Sequence, residues 1–107
     1  MLLVRNIHVK PLHLWTLVPR KLPVDISGGS WDCYLISTTW TSDAGWETMV
    51  FKAKIKNEGS SDRLIVDWMD IDEDHYATKE EALEGHFKMV RKYVAKASRN
   101  IRRGLYE

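Results

Sequence analysis

Apolar and polar positions along this chain follow two different periods. From Trp46 to Lys56 the period is two, with Met49, Phe51, Ala53 and Ile55 on one face and Lys52, Lys54 and Lys56 on the other. That is the pattern of a half-buried strand. From Ala82 the spacing becomes three and four: Ala82, Leu83, His86, Val90, Tyr93, Val94, Ala97 and Ile101 form one stripe of an amphipathic helix. Thr78-Lys79-Glu80-Glu81 opens that helix with a capping box, in which the Thr78 hydroxyl accepts the Glu81 N–H and the Glu81 carboxylate reaches back to Thr78. Gly104 is its natural stop.

The remaining strands are shorter readings of the same kind. Leu2–Val9 suits a first strand ended by Pro11, and Trp31–Thr41 is rich in aromatic and β-branched residues. Leu64–Ile71 is the last strand. Loops fall at Ser27–Ser30, Thr41–Gly45 and Asn57–Asp62, while Leu12–Pro23 reads as a packed loop or a short helix. Strands followed by one helix, with short connections, imply an α+β fold: an antiparallel sheet of about four strands with one long C-terminal helix packed on one face. At 107 residues the chain is a single domain, residues 1–107, with enough apolar content for a modest core.

Composition removes several classes. One cysteine, Cys33, rules out an intramolecular disulfide and suits a reducing compartment. Met1-Leu2-Leu3-Val4 meets Arg5 at once, so no signal peptide is expected, and no apolar run reaches the ~20 residues of a membrane span. His8, His13, His75 and His86 are scattered without zinc-ligand spacing. His86, inside the helical stripe, reads as a packed, hydrogen-bonded residue, and Cys33 as a packed one. No serine elbow, phosphate loop or other catalytic motif is present, so the chain reads as a non-enzyme without metal or cofactor.

Charge is unevenly spread although the net is only +1. Ten acids and two bases lie between Glu58 and Glu84, whereas Gly85 to Gly104 holds seven bases and no acid. Asp70, Asp72, Asp74 and Glu81 have the spacing of a calcium-binding loop, but His75 stands where that loop needs glycine and Glu81 is required by the cap. The acidic half therefore reads as a strand end and helix start. The basic half is the candidate functional surface: Lys88, Arg91, Lys92, Arg99, Arg102 and Arg103, with Arg20 or Trp46 beside it. Arg5, Lys10 and Lys21 would enlarge the patch, and Trp40 and Trp46 would staple the first hairpin.

The run Trp46-Glu47-Thr48-Met49-Val50-Phe51, then Tyr76-Ala77-Thr78-Lys79-Glu80-Glu81-Ala82 and Gly85-His86-Phe87-Lys88-Met89-Val90, resembles a pattern in small uncharacterised proteins of tailed bacteriophages. The resemblance spans about residues 44–94 and implies a phage origin and expression in a bacterial cytoplasm. It carries no activity and no active site. With no catalytic machinery, the expected function is binding: a host-directed or anti-defence protein that engages a bacterial protein or sequesters an anionic nucleotide signal. The alternative is a virion accessory protein of the head–tail connector, tail or baseplate. Exposed sheet edges or a helix face could also pair copies into a homo-oligomer.

Overall fold

The computed structural model describes the backbone of residues 5–10, 13–21, 29–59 and 61–106, and the side chains of 13–21, 29–57, 59 and 61–98. Five strands, β1 (Arg5–Lys10), β2 (His13–Pro19), β3 (Ser30–Thr41), β4 (Gly45–Glu58) and β5 (Ser61–Tyr76), precede helix α1 (Lys79–Tyr106). They form one antiparallel sheet in chain order, and α1 packs across it, so the fold is α+β. The sheet has five strands rather than about four because His13–Pro19 is a strand, not a loop or short helix. Its residues Thr16 to Pro19 are all buried, and a segment covered on both faces shows no period of two. The Ser27–Gly28 part of the first expected turn and the Leu2–Val4 part of the first expected strand lie outside the described residues. The hairpins join β3 to β4 and β4 to β5, with Gly45 and Gly59 in the left-handed region at φ 71 and 69.

The helix begins as its capping box requires: the Glu81 N–H donates to Thr78 Oγ1 at 3.1 Å. The Glu81 carboxylate, however, takes the N–H of Ala77 at 3.3 Å rather than that of Thr78. The C-terminal end also differs from expectation, since the helical backbone runs through Gly104 to Tyr106. Glycine weakens a helix by only about 1 kcal/mol relative to alanine and can be carried within one. The buried face is Ala82, His86, Met89, Tyr93 and Ala97. Relative to the expected stripe, Met89 joins it, while Leu83 stands 42% exposed.

Two apolar clusters sit on opposite faces of the sheet. Val18, Tyr34, Ile36 and Val50 meet Met89 and Tyr93 beneath the helix. Leu17, Cys33, Leu35, Phe51, Ala53 and Ile55 form the other cluster, ringed by Trp15, Trp31, Met49, Leu64 and Val66. Strand β5 reaches both faces by changing parity. Between Val50 and Ala53, β4 advances three residues while β5 goes from Asp72 to Val66, six residues. An odd number of extra residues turns the side chains over. Leu64 and Val66 therefore join the cluster away from the helix, whereas Asp72 lies toward α1, where Lys92 and Tyr93 bond it.

At the centre of the helix-covered face is a buried polar relay. His86 is fully buried, with Nε2 2.7 Å from Thr16 Oγ1 on β2 and Nδ1 2.6 Å from Thr38 Oγ1 on β3. Thr38 Oγ1 is in turn 2.5 Å from Thr48 Oγ1 on β4. Hydroxyls can rotate to donate or accept, so a neutral imidazole finds both partners in this setting. Burial pushes the His86 pKa down from 6.5 to about 4. Because the folded value is the lower one, the stability His86 provides is complete above pH 6.5. It is lost as pH falls toward 4, by up to about 3 kcal/mol. Urea denaturation of wild type and His86→Gln at a series of pH values should show the stability gap narrowing across that window. A gap independent of pH would place no such shift on His86.

Candidate functional site

The basic residues of the helix do not form an isolated ridge. Lys88 and Lys92 line an open groove of about 380 Å³ between α1 and β5, together with Asp72, Glu73, Asp74, Gly85 and Met89. A neighbouring depression of about 670 Å³ sets Lys88 and Arg91 among Asp74, Tyr76, Glu81, Glu84, Gly85 and Phe87. Three bases thus share these two hollows with five acids. Lys92 Nζ donates to Asp72 Oδ2 at 2.6 Å, and the Tyr93 hydroxyl donates to the same oxygen at 3.0 Å. Partial burial works to raise the Asp72 pKa, but the bonds from Lys92 and Tyr93 outweigh it and hold the carboxyl below its usual range. Burial and the Asp72 bond push the Tyr93 phenol up. Lys96 lies over the Tyr34 and Tyr93 rings, 5.7 and 5.5 Å from their centroids.

Arg20 and Trp46 lie in different places. Arg20 sits just past β2, where its guanidinium is 3.0 Å from Asp32 Oδ1, with Lys54 3.9 Å from that same oxygen. Trp46 stands in register with Trp40 across the β3–β4 hairpin and with Tyr76 on β5, which puts the two tryptophans opposite one another at the base of the turn. The rows Trp40–Trp46 and Asp32–Lys54 are eight residues apart along β3, roughly 26 Å. One ligand contact area therefore does not include both Arg20 and Trp46. Arg99, Arg102 and Arg103 continue along the helix backbone, but their side chains lie outside the described residues, as do those of Arg5 and Lys10.

The acids of β5 have local work. Asp67 Oδ1 accepts the Met69 N–H at 3.2 Å, Asp72 Oδ1 that of Glu73 at 3.0 Å, and Asp74 Oδ1 that of His75 at 2.9 Å. β5 is the outermost strand on its side of the sheet, and outward N–H groups are what an edge strand offers to another chain. Side-chain carboxylates have taken three of them. Among the described residues, no group of three or more His, Cys, Asp or Glu side chains is arranged to hold a metal ion.

Other reactive groups are engaged as well. Cys33 is fully buried, and burial, only partly offset by Arg20, raises its pKa to about 12. It stays a thiol at neutral pH rather than a nucleophilic thiolate. On the face away from the helix, His13 Nε2 is 2.8 Å from Ser37 Oγ. The same nitrogen receives the Trp15 indole N–H, so the lone pair that a general base would use is shared. Among the described residues no helix is long and apolar enough to cross a membrane.

Sequence reasoning passed over Trp68 and Met69. They are the most exposed large apolar side chains among the described residues, at 68% and 77%. Both lie between Val66 and Asp70, where β5 carries two residues more than β4 opposite, with Ile65 and Ile71 also exposed nearby. The Trp68 ring meets Phe51 edge-on, centroids 5.2 Å apart, so it is held at the sheet edge rather than swinging free. A signal was present: apolar residues occupy 64, 65, 66, 68, 69 and 71, too many for the single buried face of a strand.

Beside the groove, Tyr76 packs so closely on α1 that a Cβ at Gly85 would fall within its ring. Alanine at 85 adds about 1 kcal/mol of helix propensity, but overpacking costs about 1–3 kcal/mol. Gly85→Ala should lower the thermal midpoint in the wild-type background and raise it in a Tyr76→Ala background. The same sign in both backgrounds would contradict the contact.

Comparison of the chain with family models, with curated proteins and with solved structures finds no match in any of the three.

Proposed function

We propose that this is a phage-type, non-enzymatic binding protein, host-directed or anti-defence, that acts in the bacterial cytoplasm by engaging a bacterial protein. The observation that carries the reading is the exposure of Trp68 and Met69, consecutive residues in the bulged part of the outermost strand. Four large apolar side chains, Ile65, Trp68, Met69 and Ile71, stand exposed within seven residues of one edge strand, a density that suits an interaction surface, and tryptophan is among the commonest anchors of protein interfaces. Of the two ligand classes raised by the sequence, a protein suits this surface better than an anionic nucleotide. The described bases Lys88, Arg91 and Lys92 share their hollows with a larger number of carboxylates, which repel a phosphate.

The test is co-purification from a phage-sensitive bacterium, comparing tagged wild type with Trp68→Ser/Met69→Ser and with Lys88→Glu/Arg91→Glu. One bacterial protein should elute with wild type in fixed stoichiometry and reconstitute from purified components. Loss of two anchor side chains should weaken it by tenfold or more, about what a pair of hot-spot residues provides. The groove variant should keep it within about twofold, as expected for charges outside the contact. Retention by the first variant with loss in the second would overturn the reading. Mass spectrometry of purified phage particles supplies the other decisive outcome: stoichiometric presence there would assign the protein to the virion instead.

A further inference from the structure

Resting on the protein-binding reading of β5, we infer that the partner presents a cationic segment with an apolar anchor, and that it docks through side chains without adding a strand to the sheet. The first half follows from charge. Trp68 and Met69 are bracketed by Asp67 and Asp70, and β5 as a whole carries six acids against the single base Arg63. A segment whose Lys or Arg side chains flank a Leu or aromatic residue would meet opposite charge on both sides of the apolar pair. A second copy approaching β5 to β5 would set carboxylate against carboxylate, which opposes self-pairing.

The second half follows from the backbone. Strand addition draws its affinity from main-chain N–H and C=O groups of an open edge. In β5 the N–H groups of Met69, Glu73 and His75 already donate to Asp67, Asp72 and Asp74. The parity switch between Asp72 and Val66 further breaks the regular repeat that an incoming strand would need. What remains available is a fixed ring and a flexible thioether, with acids on either side. Trp68, held against Phe51, loses little freedom on binding, and Met69 adapts to the shape of the anchor.

The experiment uses the whole protein and two synthetic peptides, Lys-Arg-Lys-Leu-Phe-Arg-Lys-Arg and the same peptide with every base replaced by Glu. Titration of the ¹⁵N-labelled protein should move the amides of Asp67 to Ile71 with the basic peptide and not with the acidic one. Affinity should fall at least tenfold in Trp68→Ser/Met69→Ser and severalfold in Asp67→Asn/Asp70→Asn; asparagine at 67 keeps an acceptor for the Met69 N–H. Equal binding of the acidic peptide, perturbations centred on Lys88 and Arg91, or no binding at all would overturn the inference. So would backbone-to-backbone Overhauser contacts between peptide and β5, which would show strand addition. Concentration-dependent dimerisation removed by Trp68→Ser/Met69→Ser would assign the surface to a second copy and overturn it as well. A bacterial partner that requires Trp68 and Met69 while the basic peptide fails defeats this inference alone. Peptide binding at β5 with no bacterial partner recovered defeats only the host-directed reading.

Discussion

A fully buried imidazole with two hydroxyl partners is the constraint on which the rest of the molecule depends. His86 reaches β2 through Thr16 and β3 through Thr38, and Thr38 extends the chain to Thr48 on β4. Leaving any one of these groups unpaired in the core costs about 1–3 kcal/mol, more than a typical hydrogen bond contributes when made. The penalty is what gives the relay its specificity. Sliding α1 by one turn would strip the buried ring of both its hydroxyl partners, so the helix has one position along the sheet. Apolar packing of Met89 and Tyr93 on Val18, Ile36 and Val50 supplies bulk attraction; the relay chooses the register.

With α1 held there, its flank toward β5 is set as well. Tyr76 closes on Gly85 near the start of the helix, and Asp72 takes Lys92 and Tyr93 two turns further on. These contacts require Asp72 and Tyr76 to face the helix, whereas Leu64 and Val66 must fill the opposite cluster. One strand satisfies both demands only by gaining an odd number of residues between them, and β5 gains one between Asp72 and Asp70 and two between Asp70 and Val66, the stretch that holds Trp68 and Met69. Their exposure belongs to the longer of the two bulges, beside the one that turns the strand over. The carboxylates beside them close backbone donors that would otherwise invite non-specific strand pairing.

The strand-then-helix order, the alternation of β4, the Thr78 cap and the buried role of His86 were legible in the sequence, because each rests on local periodicity or local capping chemistry. Strand β2 was not, since Thr16–Pro19 is covered on both sides and leaves no alternation to read. Nor was the fate of the basic residues. Lys88, Arg91 and Lys92 look like a ridge along the helix, but acids from β5 and from the helix start stand beside them. Only the tertiary register brings the β5 carboxylates close, whereas Glu84 stands one turn before Lys88 on the helix itself. Four residues of the sequence motifs take on a physical meaning: Thr48 and His86 belong to the relay, and Tyr76 and Gly85 to the packed corner beside it. They build the fold, whereas Trp68 and Met69 lie between Phe51 and Tyr76, outside those motifs.

Native-state hydrogen exchange tests most directly whether His86 fastens the helix to the sheet as one cooperative body. Amides of α1 from His86 to Ala97 should share the free energy of exchange of β3 and β4, equal to that of global unfolding, while those of Trp68 to Ile71 open at lower cost. Exchange of the whole helix well below the sheet would show α1 detaching on its own and would contradict the account.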